Sequence, residues 1–193
     1  MAASTQSGRP IGGSSRAGVG SAMTDPSSAE AFDYRASTDA PELEVVIEVP
    51  RGSFLKRGVT GQIHFVSPLP CPYNYGAVPT HLGLEGDLLD AIVLGPRLRF
   101  GTHLRVKAWG AITLTDRGMS DDKLICSAHP PSAAERRALL RFFHFYARCK
   151  ALRNALKRRP GRNACEGWCD AAEAIARARP LAHAVWTGSH VPY

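Results

Sequence analysis

Strand-like runs of apolar positions begin at about residue 44. Glu44-Val45-Val46-Ile47-Glu48-Val49-Pro50 reads as a strand that the proline ends. Gly61 to Val66 reads as a second strand and Leu89 to Leu94 as a short apolar third. His103-Leu104-Arg105-Val106-Lys107-Ala108-Trp109 alternates as a strand with one wet face should, and Ala111 to Thr115 continues it after Gly110. Lys123 to Ser127 is another strand candidate, and Gly and Pro punctuate the gaps. Near residue 130 the period changes. Ser132 and Glu135 have the spacing of a capping box, and Leu139, Phe142, Phe143, Tyr146 and Cys149 then recur at helical spacing. A last helix is predicted over about Glu166 to Arg179. Short strands followed by helices predict an α+β domain built on a small barrel, with Trp109 and Trp168 in its core.

The ends lack such a period. Residues 1–40 are rich in Ser, Gly and Ala and predict a disordered tail; the domain spans 41–180, and 181–193 form a second tail. The first 24 residues contain Arg9 and Arg16 and no acid, but no amphipathic apolar stripe of the kind a transit peptide carries; Met23 is an alternative start. No apolar run approaches the roughly 20 residues of a membrane-spanning helix. A formal charge of +7 favours anionic partners without choosing among them. The five cysteines, Cys71, Cys126, Cys149, Cys165 and Cys169, are odd in number and scattered, which predicts reduced thiols in a cytoplasmic protein. Cys165 and Cys169 are four apart and would share a helix face, but they lack the second ligand pair of a zinc site.

Two acidic segments change the picture. Glu85, Asp87 and Asp90 lie beside Gly83 and Gly86, and Asp116, Asp121 and Asp122 follow in a second Gly-bearing loop that ends on Lys123. Oxygen-rich loops at strand ends suit hard cations such as magnesium, and converging carboxylates repel unless cations neutralise them. Two solvated acidic turns are the plain alternative. His81, near the first segment, reads as a surface or core residue.

Other segments decide between these readings. In order, the chain carries Glu48-Val49-Pro50-Arg51-Gly52-Ser53 followed by Lys56; Pro72-Tyr73-Asn74-Tyr75-Gly76; Gly86-Asp87 followed by Asp90; Thr115-Asp116 followed by Asp121 and Lys123; Phe142-Phe143 followed by Tyr146; and Glu166-Gly167-Trp168. From about residue 42 to 178 this order and spacing resembles the soluble family I inorganic pyrophosphatases. The resemblance implies a small closed OB-like β-barrel with helices packed outside and C-terminal helices. It implies magnesium-dependent hydrolysis of pyrophosphate to two phosphates. The matching metal ligands are Asp90, Asp116 and Asp121, with Glu85 in the same set and Glu48 near an additional ion. Asp87 matches the carboxylate that takes the proton of the attacking water. Lys56, Tyr75, Lys123 and Tyr146 match the groups that hold the phosphates and the leaving oxygen. Homo-oligomers are the family's habit, so self-association is expected.

The chain departs from that pattern at four places. Glu85 stands where the family has aspartate. Lys56-Arg57-Gly58 replaces Lys-Tyr-Glu, which removes a carboxylate. Ile63, beside His64, falls where an arginine grips phosphate, and Ala147 replaces a lysine, with Arg148 and Lys150 nearby. These changes predict reduced activity. They also leave two alternatives: an inactive relative that binds phosphate compounds, and a basic OB-like nucleic-acid-binding protein. The latter draws on ten basic residues and no acid from Arg136 to Arg162. A solvated basic face is the more ordinary reading of that run; the other is that two of its residues face the pyrophosphate pocket instead.

Overall fold

β-Branched residues build the frame. A computed structural model describes residues 40–57, 63–66, 69–156, 158 and 161–183, with only the backbone of 64–66. The expected tail over 1–39, Gly58, the His64 side chain, Gly61 and the residues after 183 lie outside the described residues. In chain order the elements are β1 (Glu42–Val49), β2 (Leu55–Arg57), β3 (Ile63–Val66), β4 (Asn74–Leu82), β5 (Leu88–Val93), β6 (His103–Asp116), β7 (Met119–Ser127), α1 (Ala133–Leu156), β8 (Ala164–Cys169), α2 (Ala171–Arg177) and β9 (Arg179–Pro180). Among the described residues the fold is mostly sheet with two helices.

Strand pairing runs β1-β4-β5-β7-β6, and β6 pairs back onto β1, so five strands form a ring of hydrogen-bonded neighbours. β8 adds to β6 and β9 to β4, while β2 and β3 form a separate hairpin. Within this ring, among the described residues, only β5 and β7 run parallel. Because successive side chains leave a strand on opposite faces, the ring has two apolar faces. On one, Val45, Ile47, Val78, Ala91, Val106 and Leu124 from all five strands form a core against Ala171 and Ala174 of α2. On the other, Ile92, Ile112, Leu114 and Ile125 pack under Leu139 and Phe143 of α1.

Local chemistry explains the helix starts. The Ser132 hydroxyl accepts from the Glu135 N–H at 3.2 Å, and the Glu135 carboxylate accepts from the Ser132 N–H at 2.8 Å, the reciprocal capping box expected of this pair. The expected last helix is different. Ala164–Cys169 is a strand, with Ile112 opposite Trp168, and Gly167 takes φ +121°, which no helix accommodates. Asp170 then caps the short α2 by accepting from the N–H groups of Ala172 and Glu173. Cys165 and Cys169 therefore lie on a strand, where Cys169 Sγ sits 3.3 Å from Thr113 Oγ1.

The strand expected to continue after Gly110 does so as one element, β6, with an irregularity between Ala108 and Gly110. The Pro72-Tyr73-Asn74-Tyr75-Gly76 segment enters β4, which begins at Asn74. One further expectation is corrected. Asp121 and Asp122 lie within β7 rather than in a loop; the turn is Arg117-Gly118, both at positive φ.

Gly110 is required by its neighbour. A Cβ there would lie 2.3 Å from the Trp168 ring. Gly110→Ala is expected to destabilise the domain by about 1–3 kcal/mol through overpacking, read as a lower midpoint in thermal denaturation. Trp109 is buried, and its indole N–H donates to the Ser127 carbonyl at 2.9 Å. Trp168 is partly buried against the α1-side core, with Arg136 over its ring.

Candidate functional site

Strand register assembles the acids. Asp90 of β5 stands directly opposite Lys123 of the parallel β7, and Asp121, two residues earlier, projects from the same face. That face also carries Ile92, Ile112 and Leu114, so the polar group sits at the edge of the core under α1. Asp122 leaves on the opposite face. It accepts from Arg177 Nε at 2.8 Å and from the Thr113 hydroxyl at 2.7 Å, and takes no part in the cluster.

Glu85, Asp90 and Asp121 bring carboxylate oxygens within 4.8 Å of one another. Asp121 is 2% exposed and Lys123 3%. Lys123 Nζ donates to Asp90 Oδ2 and, at 2.5 Å, to Asp121 Oδ1. Asp116, at the end of β6, joins through Lys150: Nζ lies 2.7 Å from Asp116 Oδ2 and 3.7 Å from Asp121 Oδ2. Lys150 is on α1, one turn after Tyr146, and its ammonium lies 5.8 Å from the Tyr146 ring centroid.

A second cationic edge comes from the β2 hairpin. Lys56 pairs with Glu48 at 3.5 Å and lies 5.0 Å from the Tyr75 ring centroid; Lys123 approaches the same ring at 5.7 Å. The structure thus gathers Glu48, Lys56, Tyr75, Glu85, Asp90, Asp116, Asp121 and Lys123, with Tyr146 at the rim. Asp87 is exposed in the β4–β5 loop and outside the tight trio, its backbone carbonyl accepting from the Gly83 N–H at 2.8 Å. Ile63 is exposed and Ala147 is buried in the α1 face. His81, at the end of β4, hydrogen-bonds Thr80 and is not in the trio.

Charge sets the protonation pattern. Burial raises the Asp90 carboxyl, but Lys123 and Lys56 overcome it and hold Asp90 below the usual carboxylate range. Burial lowers Lys123, but Asp90 and then Tyr75 and Asp121 leave it well above the usual lysine value. The Tyr75 hydroxyl is pushed well up, first by burial and then by Asp90. Glu85 is pushed up to about 7 by burial, then by the Asp121 charge.

Glu85 supplies a pH prediction. Its folded pKa exceeds its unfolded one, so the folded state binds the extra proton and stability falls as pH rises from about 4.5 to about 7. With partial solvent screening the loss is on the order of 1 kcal/mol. Glu85→Gln removes it. Thermal melts in EDTA should show the variant gaining about 2–4 °C on wild type between pH 5 and pH 8.

The donor set suits a hard divalent cation. Asp116 Oδ1 and Asp121 Oδ2 are buried and accept no hydrogen bond among the described residues. Arg117 and Lys150 approach these two oxygens only to 3.9 and 3.7 Å. Buried carboxylate oxygens without donors are costly unless a cation takes them, and clustered carboxylate oxygens are the ligands such ions prefer.

One residue of the sequence motifs has a structural task instead. The buried Asn74 Oδ1 accepts from the Arg51 N–H at 3.0 Å and the Leu98 N–H at 2.8 Å, and Nδ2 donates to the Val93 and Pro96 carbonyls. All four side-chain bonds are spent on backbone, which locks β4, the strand carrying Tyr75, to two flanking loops. Lys150, named with Arg148 as a cation near Ala147, is the one of the two that enters the cluster. Its signal is its spacing: four residues after Tyr146, on the same helical side. Arg137, Arg141, Arg148 and Arg153 of the basic run are exposed.

Known proteins resemble this chain in sequence and in fold. The family model for inorganic pyrophosphatase matches residues 45–180. The inorganic pyrophosphatase of Streptomyces coelicolor is 39% identical over 111 residues, covering 53% of this chain and 66% of that protein. The soluble inorganic pyrophosphatase of Oryza sativa subsp. indica is 37% identical over 109 residues, covering 51% of each. The chain spans about half to two thirds of the length of such curated relatives. Among solved structures, an inorganic pyrophosphatase from Coxiella burnetii superposes with a TM-score of 0.57 at 24% identity, covering 74% of this chain and 94% of that one. The Helicobacter pylori inorganic pyrophosphatase gives 0.58 at 24%, covering 75% and 94%. The described residues include no helix long and apolar enough to cross a membrane. With the family model spanning the ring of strands, the acid cluster and both helices, the chain belongs to the inorganic pyrophosphatase family.

Proposed function

We propose that the chain hydrolyses inorganic pyrophosphate to two phosphates with magnesium, at a reduced rate. The observation that carries this reading is the pair of buried, donorless oxygens on Asp116 and Asp121 beside the Glu85–Asp90–Asp121 trio. Glu85, Asp90, Asp116 and Asp121 would hold the ions, with Glu48 near an additional one. A bound divalent cation supplies charge screening for the phosphates and lowers the pKa of water. Asp87, on the Gly-flanked loop beside the trio, is the base that accepts the proton of the attacking water. Lys56 and Lys123 hold phosphate oxygens, and the Tyr75 and Tyr146 hydroxyls donate to charge that develops on the leaving phosphate. Tyr75, kept protonated, is suited to donating.

The reduced rate follows from lost grips. Ile63 and Ala147 each remove one charge-assisted phosphate contact of the family pattern, about 1.5–3 kcal/mol apiece. The longer Glu85 displaces its carboxylate by roughly one C–C bond in a site that tolerates little displacement. The ring of five strands supports the OB-like barrel reading. A cytoplasmic homo-oligomer is part of the same proposal.

The test is phosphate release from pyrophosphate and magnesium by the purified chain, beside an Asp87→Asn control. Release well above that control is expected. Release equal to it, with calorimetry showing pyrophosphate bound, favours the second reading of a non-catalytic phosphate binder; the lysines already paired with Asp90, Asp121 and Asp116 are what give that reading substance.

A further inference from the structure

Lys150 lies in the acid cluster, yet the motifs of the site assign it nothing. Its side chain is 16% exposed and reaches from α1 to Asp116 and Asp121, the two residues whose second oxygens lack donors. At 147, where the pattern expects a lysine, Ala147 is buried in the helix face and carries no charge. We infer that Lys150 is a tethered, displaceable cation: it neutralises Asp116 and Asp121 before a divalent ion binds, is released when one does, and then grips the anionic substrate in place of the cation missing at 147. This rests on the metal site and substrate of the proposed function.

Three physical points support it. An ammonium at 2.7 and 3.7 Å satisfies one oxygen of Asp116 well and Asp121 poorly, whereas magnesium takes oxygens at about 2.0–2.1 Å. Two cations cannot share those oxygens without repulsion, so a bound ion drives the ammonium out. Lysine's flexible stem and three rotatable donors let the freed ammonium turn toward a nearby anion without moving the helix. Tyr146, whose ring lies beside Lys150, is one of the proposed phosphate contacts. Lys150 is thus a positioning residue for the acids in the resting site and a substrate contact in the loaded one.

The test titrates Mn²⁺ into wild type, K150M and K150R by calorimetry without pyrophosphate, then measures KM and kcat for pyrophosphate with magnesium. K150M is expected to bind Mn²⁺ about tenfold tighter, since no ammonium has to leave. K150R, which keeps a cation, binds no tighter than wild type. KM should rise about tenfold in K150M, with kcat changed less than about threefold, the signature of lost uniform binding. K150Q, with the same expectations, replaces K150M if the latter does not fold. Equal or weaker Mn²⁺ binding by K150M overturns the displaceable-cation role, and an unchanged KM overturns the substrate grip. Wild type that binds Mn²⁺ but releases no phosphate overturns the hydrolase reading alone, and the Mn²⁺ comparison still decides Lys150. Wild type that binds no Mn²⁺ overturns both.

Discussion

Asp121→Asn is expected to lower phosphate release from pyrophosphate by on the order of a thousandfold, about 4 kcal/mol of transition-state stabilisation. Asp121 is the point where the cluster converges. It lies in the trio with Glu85 and Asp90, accepts from Lys123 at 2.5 Å, and faces Lys150 with a donorless oxygen. Asparagine keeps the shape but removes the charge, and it offers an amide donor where a cation is needed. Asp122→Asn is the matched control. Its side chain leaves the other face of β7, to Arg177 and Thr113. That change should cost about 1–2 kcal/mol of stability from a charge-assisted pair and leave turnover within about threefold. Phosphate release and urea denaturation on both variants check the pair. Equal activity loss in the two would mean that strand alternation does not decide which aspartate serves the site.

That contrast shows what the sequence carried and what it withheld. The motif order located nearly every side chain of the cluster, because the residue types are chemically constrained. Asp121 and Asp122 are adjacent and chemically equal, and only the register of β7 against β5 and β6 separates them. The parallel pairing of β5 with β7 is a long-range contact between segments about thirty residues apart, and no local pattern encodes it. Helical periodicity placed α1 well, since Leu139 and Phe143 are buried as spaced. It failed at Glu166 to Cys169, where Gly167 at positive φ and the pairing with β6 override an apparently helical stretch. Asn74 stands in the motif beside Tyr75 without a role that sequence could assign, because its four hydrogen bonds go to backbone brought close only by the fold. Lys150 was visible only as one of two cations near Ala147, beside Arg148. The helix settles between them: Arg148 is exposed, whereas Lys150, one turn after Tyr146, reaches Asp116.

Lys123→Met is expected to produce the largest stability effect, and one that depends on metal. Lys123 bridges Asp90 and Asp121, and all three are buried. Removing the ammonium leaves two carboxylates facing each other across adjacent strands with their shared cation gone. Breaking a buried pair from one side costs about 3–5 kcal/mol, because the stranded charge is not solvated. Here two carboxylates lose that partner, Lys56 near Asp90 and Lys150 at 3.7 Å from Asp121 compensate only in part, and Glu85 adds a third acid within 4.8 Å. In EDTA the variant should therefore unfold at distinctly lower urea than wild type, with the slope of the transition unchanged. Lowering the pH through the carboxylate range should recover part of the loss, since protonation removes the repulsion. Magnesium should recover more of it, because an ion bound to the folded state alone stabilises it by mass action, and the missing ammonium no longer competes for the same oxygens. Recovery by magnesium distinguishes a cation site from a merely structural ion pair. In the latter case the variant would be equally unstable with and without the ion, and the carboxylates of β5 and β7 would owe their burial to Lys123 alone.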